Sequence, residues 1–197
     1  MRRWFRHAPH LLMAALGLIA AVGCVAAESF KGADVSGQGY GGAYRLSGHD
    51  GKTRVPADFA GKVVLISFGF THCPDVCPTT LATLAAAARA LGDDRKRLQV
   101  LFVTVDPERD TAQALSRYVT AFDADFVGLR GDAAATRQAA RAFKVFYQRV
   151  PLANGAYTMD HSTGYYAIDK RGNTRVLFRY EQPLADMVHD LRLLIAE

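Results

Sequence analysis

The sequence predicts an α/β sandwich with a central mixed β-sheet, and three observations support this. Two apolar, β-branched runs, Lys62–Phe68 and Leu98–Val105, are typical of strands buried on both faces. A helical pattern follows each run, and such alternation implies parallel strands covered by helices. A predicted hairpin and a predicted helix then complete the chain.

Each element is predicted from its local pattern. Asp50-Gly51 between two short segments indicates a hairpin, and Pro78 in a first turn places Cys77 just before a helix. Asp110 is predicted to open a later helix, with Gln113 as its capping-box partner. The predicted strands are 43–46, 53–55, 62–68, 98–105, 126–129, 145–150, 165–168 and 175–178, and the predicted helices are 78–91, 110–122, 132–143 and 183–195. This order fits a thioredoxin-like fold.

The first 27 residues have the features of an export segment. Three arginines precede the apolar run Leu11–Val22, which is short for a membrane span and suits a signal peptide. Three outcomes fit: cleavage after Ala27, lipidation of Cys24, or retention as an N-terminal membrane anchor. Residues 28–43, rich in Gly and Ser, are predicted to be a lead-in, and residues 44–197 are predicted to form the functional domain.

The charge of the chain gives no support to nucleic-acid binding. The 197 residues carry a net charge of +5, and half of them are hydrophobic, as in an ordinary globular protein. Removal of the export segment takes away three arginines and no acidic residue, so the remaining chain carries +2. We therefore expect no nucleic-acid partner.

Cys73 and Cys77 lie between a predicted strand and a predicted helix, where sites gather in α/β proteins. With no other cysteine in the domain, the pair indicates a redox or metal site rather than a structural disulfide. A helix N-terminus favours thiolate, so we expect lowered cysteine pKa values. The three intervening residues permit both a disulfide and a metal bridge, and the spacing alone leaves both open.

A third ligand would favour a metal site, and four histidines follow the export segment. His49 beside a turn and His189 within a helix are interpreted as structural or surface residues, and His72 as a residue that orients the cysteine loop. His161 lies in a polar loop, where it could be a ligand or a turn residue, and Asp160 could fix its tautomer. Two thiolates and an imidazole would suit Cu(I), or Cu(II) with an added oxygen ligand.

Four segments in this order resemble the SCO/SenC family of copper-binding proteins: GKVVLISFGFTHCPDVCPTT, LFVTVDPERDT, AFKVFYQRVP and YTMDHSTGYYAIDKRG. The resemblance implies a thioredoxin-like copper-binding domain with Cys73, Cys77 and His161 as ligands of a copper ion, Cu(I) or Cu(II). It also implies an exported, periplasmic or membrane-attached chaperone that matures the copper centre of cytochrome c oxidase. The implied partners are the copper-site subunit of the oxidase and other periplasmic copper chaperones.

Two other functions are compatible with the same fold. A thiol–disulfide oxidoreductase would need only Cys73 and Cys77, and would keep the cysteines of the oxidase reduced. A peroxidase would need an activating arginine beside its cysteine, and none adjoins this pair. Asp106 in the segment VDPERD is interpreted as structural, at the end of a strand.

Overall fold

The computed structural model describes residues 28–197, so the predictions for residues 1–27, including lipidation of Cys24, lie outside the described residues. The strands are β1 Ala33–Asp34, β2 Leu46–Gly48, β3 Thr53–Arg54, β4 Val63–Gly69, β5 Leu98–Thr104, β6 Val127–Arg130, β7 Tyr147–Pro151, β8 Tyr157–His161, β9 Tyr165–Ile168 and β10 Thr174–Phe178. The α-helices are α1 Val76–Ala90, α2 Ala112–Thr120, α3 Ala133–Ala142 and α4 Leu184–Ala196. None of the helices in residues 28–197 is long and apolar enough to cross a membrane.

Eight strands form one mixed sheet, in the order β1-β10-β9-β4-β5-β6-β2-β3. The central strands β4, β5 and β6 are parallel, and the other neighbours are antiparallel. Every residue of β4 is buried, because the sheet is covered on both faces. The predicted α/β sandwich with a central mixed sheet is confirmed.

Helix α1 is held against the body of the protein by an apolar stripe. Leu81, Leu84 and Ala88 recur at helical spacing and are buried. The helix packs on α4, whose Leu191 and Leu194 are also fully buried, and α4 in turn contacts β4. This packing fixes the N-terminal turn of α1 beside the end of β4.

Helix α2 begins one residue later than its capping pattern predicts. The Thr111 hydroxyl accepts the Ala114 N–H at 3.1 Å, so Thr111 is the N-cap, and the predicted capping box of Asp110 and Gln113 is wrong. Helix α3 is capped as predicted, because the Asp132 carboxylate accepts the Ala135 N–H at 2.8 Å.

The segment predicted as a lead-in contributes a strand to the sheet. β1 pairs with β10, and just before it the buried carboxylate of Asp190 on α4 accepts the backbone N–H groups of Lys31 and Gly32 at 2.8–3.0 Å. The hydrogen bonds of Lys31 and Gly32 thus hold the start of this segment against α4.

Strands β7 and β8 form a separate two-stranded antiparallel sheet. Tyr147 lies opposite His161 in its register. At its base the backbone N–H of Ser162 donates to the Phe146 carbonyl, and the Phe146 N–H donates to the Ser162 hydroxyl, both at 3.0 Å. These bonds fix where the end of β8 meets the main sheet.

Candidate functional site

The two cysteines lie at the carboxyl end of β4, as predicted, but the helix begins earlier than predicted. Cys73 is in the loop between β4 and α1, whereas Cys77 is the second residue of α1 and Pro78 the third. A proline is accommodated there because the N–H groups of a first turn have no partner within the helix. The Cys77 side chain is therefore directed from the helix rather than from the preceding loop.

The environments of the two sulfurs differ. Cys73 is partly exposed, whereas Cys77 is 3% exposed, and the Cys77 N–H donates to the Cys73 sulfur at 3.5 Å. Burial raises the pKa of the Cys77 thiol. The predicted lowering of the pKa is therefore wrong for Cys77, because desolvation of the thiolate outweighs the favourable helix N-terminus.

Close packing explains why the Cys77 sulfur is buried. A Cβ added at Gly69, the last residue of β4, would lie 2.7 Å from the Cys77 sulfur and 2.8 Å from the Phe102 ring. Only glycine leaves room for the sulfur at this distance. The site therefore depends on Gly69, although no pattern in the sequence distinguishes it.

His161 is brought to the Cys77 sulfur. Its Nε2 lies 3.5 Å from that sulfur, and its Nδ1 lies 2.8 Å from the Ser162 carbonyl oxygen. A carbonyl can only accept, so Nδ1 carries the hydrogen and Nε2 of the neutral ring presents a lone pair towards Cys77. Burial lowers the pKa of His161, which favours this neutral form.

Two expectations about His161 need correction. It is the last residue of β8 rather than part of a loop, because its segment pairs with β7 in an antiparallel hairpin. The group that fixes its tautomer is the Ser162 carbonyl, and Asp160, which is exposed, makes no hydrogen bond with the ring.

The distance between Cys77 and His161 suits a shared metal ion. With metal–sulfur and metal–nitrogen bonds of about 2.3 and 2.0–2.1 Å, tetrahedral or trigonal ligands lie about 3.5–3.8 Å apart. The observed 3.5 Å is at the lower end of this range. In residues 28–197, however, no three His, Cys, Asp or Glu side chains are grouped closely enough to hold a metal ion. A third ligand would therefore have to approach this pair.

The remaining histidines serve other contacts. The Gly128 N–H donates to His49 Nδ1 at 3.0 Å, and His189 contacts Asp190 and Glu28. His72 is 52% exposed, and its Nδ1 lies 3.5 Å from the carboxylate of Asp110. Each of these three histidines therefore has contacts that account for its position.

Asp110 anchors the cysteine loop, a role that sequence reasoning missed. Its carboxylate is fully buried and accepts the Thr71 N–H at 3.0 Å, the Thr71 hydroxyl at 2.6 Å and the Thr104 hydroxyl at 2.6 Å. Asp110 thus ties the loop to the end of β5. Its position after a strand is compatible with this role, but the same residue also fits the pattern of a helix cap.

A second cluster anchors the strand that carries His161. Arg109 donates to the Asp106 carboxylate and, at 2.9 Å, to the Tyr157 carbonyl, and its guanidinium stacks 3.7 Å from the centre of the Tyr157 ring. The Tyr157 hydroxyl donates to Asp106 at 2.9 Å. We call Asp106, Arg109 and Tyr157 the Arg109 clamp. The contacts of Asp106 agree with its structural interpretation, whereas Arg109 had no distinguishing signal.

Comparisons with known proteins identify the family. The sequence model of the SCO1/SenC family matches residues 33–196. The mitochondrial protein SCO2 homolog of Danio rerio is 42% identical over 134 residues, which cover 66% of this chain and 48% of that protein. The chain spans about half the length of the first curated relatives it matches.

Solved structures of similar proteins have the same fold. The structure of Bradyrhizobium japonicum ScoI, solved with copper bound, is 36% identical with a TM-score of 0.73, and the match covers 79% of this chain and 99% of that one. The solution structure of apo Sco1 from Thermus thermophilus is 38% identical with a TM-score of 0.76, covering 86% and 99%. The fold is therefore thioredoxin-like. By the extent of these matches, the chain belongs to the SCO1/SenC family.

Proposed function

We propose that this chain is a copper-binding chaperone that matures the copper centre of cytochrome c oxidase. Proteins of the SCO family take part in the assembly of that oxidase. The observation that carries the proposal is the pairing of the Cys77 sulfur with His161 Nε2 at 3.5 Å. Copper bound to the Bradyrhizobium relative supports copper as the metal.

The proposed ligands are Cys73, Cys77 and His161. The neutral His161 ring supplies a free Nε2 lone pair, and the carbonyl contact at Nδ1 holds the ring in this orientation. Cys73 is partly exposed on its loop, so its sulfur can move towards the pair to complete a three-ligand site. Two sulfurs and one imidazole make a soft donor set that suits copper, as Cu(I) or as Cu(II) with an added oxygen ligand.

The partial exposure of Cys73 suits a protein that passes its metal on. A partner's ligand could replace Cys73 first, while Cys77 and His161 still hold the ion. We propose the copper-site subunit of cytochrome c oxidase as the recipient, with other periplasmic copper chaperones as donors. The export features of residues 1–27 support a periplasmic location, with or without attachment to the membrane.

A thiol–disulfide oxidoreductase is the second candidate function. The observation that favours it is the contact of the Cys77 N–H with the Cys73 sulfur at 3.5 Å, which keeps two reduced cysteines close together. In this function the dithiol would reduce a disulfide of the oxidase to two cysteine thiols and would itself become a disulfide. His161 would then be dispensable for activity.

Single replacements of the three ligands separate the two functions. The reduced protein is titrated with Cu(I) and with Cu(II), and copper stoichiometry, copper affinity and thiol–disulfide reductase activity are measured. If the chaperone proposal holds, Cys73→Ser, Cys77→Ser and His161→Ala each weaken copper binding, and the control His189→Gln, on α4 away from the site, binds like the wild type. Unchanged copper binding in His161→Ala together with retained reductase activity would refute it.

A further inference from the structure

A small cavity adjoins the Cys77–His161 pair. It leaves about 10 Å³ for the centre of a water molecule, and a single water needs about 10–15 Å³ by this measure. The cavity therefore has room for one water and for no larger ligand. Its polar lining is formed by Ser67, Cys77, Thr80, His161 and Thr163.

Ser67 faces the proposed copper site from β4. Its side chain is on the same face of the strand as Gly69, because the two residues are two positions apart. A Cβ on that face at Gly69 would lie 2.7 Å from the Cys77 sulfur. The Ser67 hydroxyl therefore lies on the side of the sheet that carries this sulfur.

The Ser67 hydroxyl has no partner of its own. Ser67 is 3% exposed, and its oxygen makes no hydrogen bond with any group in residues 28–197. A buried, unpaired hydroxyl is unfavourable, and buried polar groups in folded proteins are nearly all paired, with protein or with ordered water. Thr80, also buried, adds a second hydroxyl to the lining, and Cys77 and His161 add a sulfur and a ring nitrogen. These are enough partners for a buried water, which typically makes about three hydrogen bonds.

The position of the cavity distinguishes the two oxidation states of copper. Cu(I) suits the soft set of two sulfurs and one imidazole, whereas Cu(II) takes harder oxygen ligands in addition. An oxygen atom in this cavity would be next to Cys77 and His161, two of the three proposed ligands. Cys73 does not line the cavity, so its sulfur and this oxygen would not compete for one position.

We propose that Ser67 holds a water molecule in this cavity and that this water supplies the oxygen ligand when the site binds Cu(II). Ser67 is then a positioning residue, because it fixes the oxygen, whereas Cu(I) is held by the three protein ligands alone. Since only one oxidation state uses the water, Ser67 sets how strongly the site favours Cu(II) over Cu(I). This inference rests on the proposed function, and it adds the source of the oxygen ligand and the residue that fixes the preference between the two ions.

Copper titrations test the role of Ser67. The reduced full chain is titrated with Cu(I) and with Cu(II), and both Kd values are compared between the wild type and Ser67→Ala. Loss of a group that orients a ligand typically weakens metal binding about 10–100-fold, so the Kd for Cu(II) should rise at least about tenfold. The Kd for Cu(I) should change by about twofold or less. An unchanged Kd for Cu(II), or an equal rise for both ions, would overturn the proposal.

Water enriched in oxygen-17 gives a direct signature of the ligand. The electron paramagnetic resonance signal of the Cu(II)-loaded wild type should broaden in this water, because the magnetic oxygen nucleus couples to the unpaired electron. Ser67→Ala should lose most of the broadening. Absence of broadening in the wild type would show that no water is bound to Cu(II), and equal broadening in Ser67→Ala would show that the water does not depend on Ser67. Either result overturns the proposal.

The matched control is Thr174→Val, which removes another buried hydroxyl that has no hydrogen-bond partner in the described residues. Thr174 is in β10 and does not line this cavity, so both Kd values should stay within about twofold of the wild type. A crystal structure of the reduced, copper-free protein gives a test that does not depend on copper. A water within hydrogen-bond distance of Ser67 Oγ supports the proposal, and no water at that position overturns it. Failure of the wild type to bind either ion would refute the proposed function instead.

Discussion

Replacement of Asp110 by alanine would remove the group that anchors the cysteine loop. The fully buried carboxylate accepts three hydrogen bonds, two from Thr71 and one from Thr104, and the exposed His72 lies 3.5 Å from it. Hydrogen bonds to charged groups contribute about 1.5–3 kcal/mol each, and buried donors left without a partner add a penalty of about 1–3 kcal/mol. Part of this cost is offset, because burial of the Asp110 carboxylate is itself unfavourable and water can enter the space left by its removal.

We therefore expect Asp110→Ala to lower the free energy of unfolding by about 3–5 kcal/mol. Asp110→Asn keeps the shape and one acceptor oxygen, and the threonine hydroxyls can rotate to accept from its NH2 group. Its loss should be about half as large, roughly 1–3 kcal/mol. The assay is urea denaturation of the reduced, copper-free protein. The control is Asp94→Ala, whose pairing with Arg97 is on the surface and contributes at most about 1 kcal/mol.

The loss should also be local to the cysteine loop. Because the Thr71 N–H donates to Asp110, hydrogen exchange at Thr71 should accelerate more in Asp110→Asn than exchange at the central residues of β4. If Asp110→Ala lowers the free energy of unfolding by less than about 1 kcal/mol, the energy assigned to the three hydrogen bonds of Asp110 is wrong. If the free energy of unfolding falls as predicted but hydrogen exchange at Thr71 is not accelerated, the conclusion that Asp110 anchors the cysteine loop is refuted.

Three further predictions follow from the site and its surroundings. Gly69→Ala should lower the free energy of unfolding by about 1–3 kcal/mol in urea denaturation and weaken copper binding, because its Cβ would overlap the Cys77 sulfur; unchanged stability would contradict the packing. Iodoacetamide at neutral pH should modify Cys73 before Cys77, since Cys77 is buried and burial raises the pKa of its thiol. The rates of modification are followed by peptide mass analysis, and equal rates for the two cysteines would contradict the prediction. Hydrogen bonds to Asp190 and then to Glu28 raise the pKa of His189 above its ordinary value of 6.5. The contribution of protonated His189 to the free energy of unfolding is therefore complete below about pH 6.5 and is lost as the pH rises through the higher folded-state pKa. Between about pH 6 and pH 8 the free energy of unfolding should therefore fall more in the wild type than in His189→Gln. Parallel plots of this free energy against pH, from urea denaturation of the two proteins, would refute the role of His189.

Local patterns predict the central part of this fold well. β4 and β5 are continuous apolar runs, and a strand buried on both faces has few other interpretations. The Asp-Gly turn between β2 and β3 and the Asp132 cap of α3 are equally local signals, and both are confirmed. The cysteine loop follows directly from these elements, because it joins a buried strand to a helix.

Contacts between distant segments are not visible in local patterns. The polar sequence around His161 has the composition of a loop, but its residues pair with β7 as a strand, and the end of that strand is brought to Cys77, which lies 84 residues earlier in the chain. The same limit explains the error about the pKa of Cys77. The helix N-terminus is a local feature, whereas the burial of the sulfur depends on Gly69 and on Phe102 from another strand.

The segment Asp106–Asp110 joins the two halves of the proposed copper site. At one end, Asp106 and Arg109 hold the strand that carries His161, through contacts with Tyr157. At the other end, Asp110 holds the loop that carries Cys73. A shift of this segment would therefore change the separation between the sulfur and imidazole ligands without altering any ligand itself. We infer that the geometry of the site is set by these buried polar contacts at least as much as by the spacing of the two cysteines.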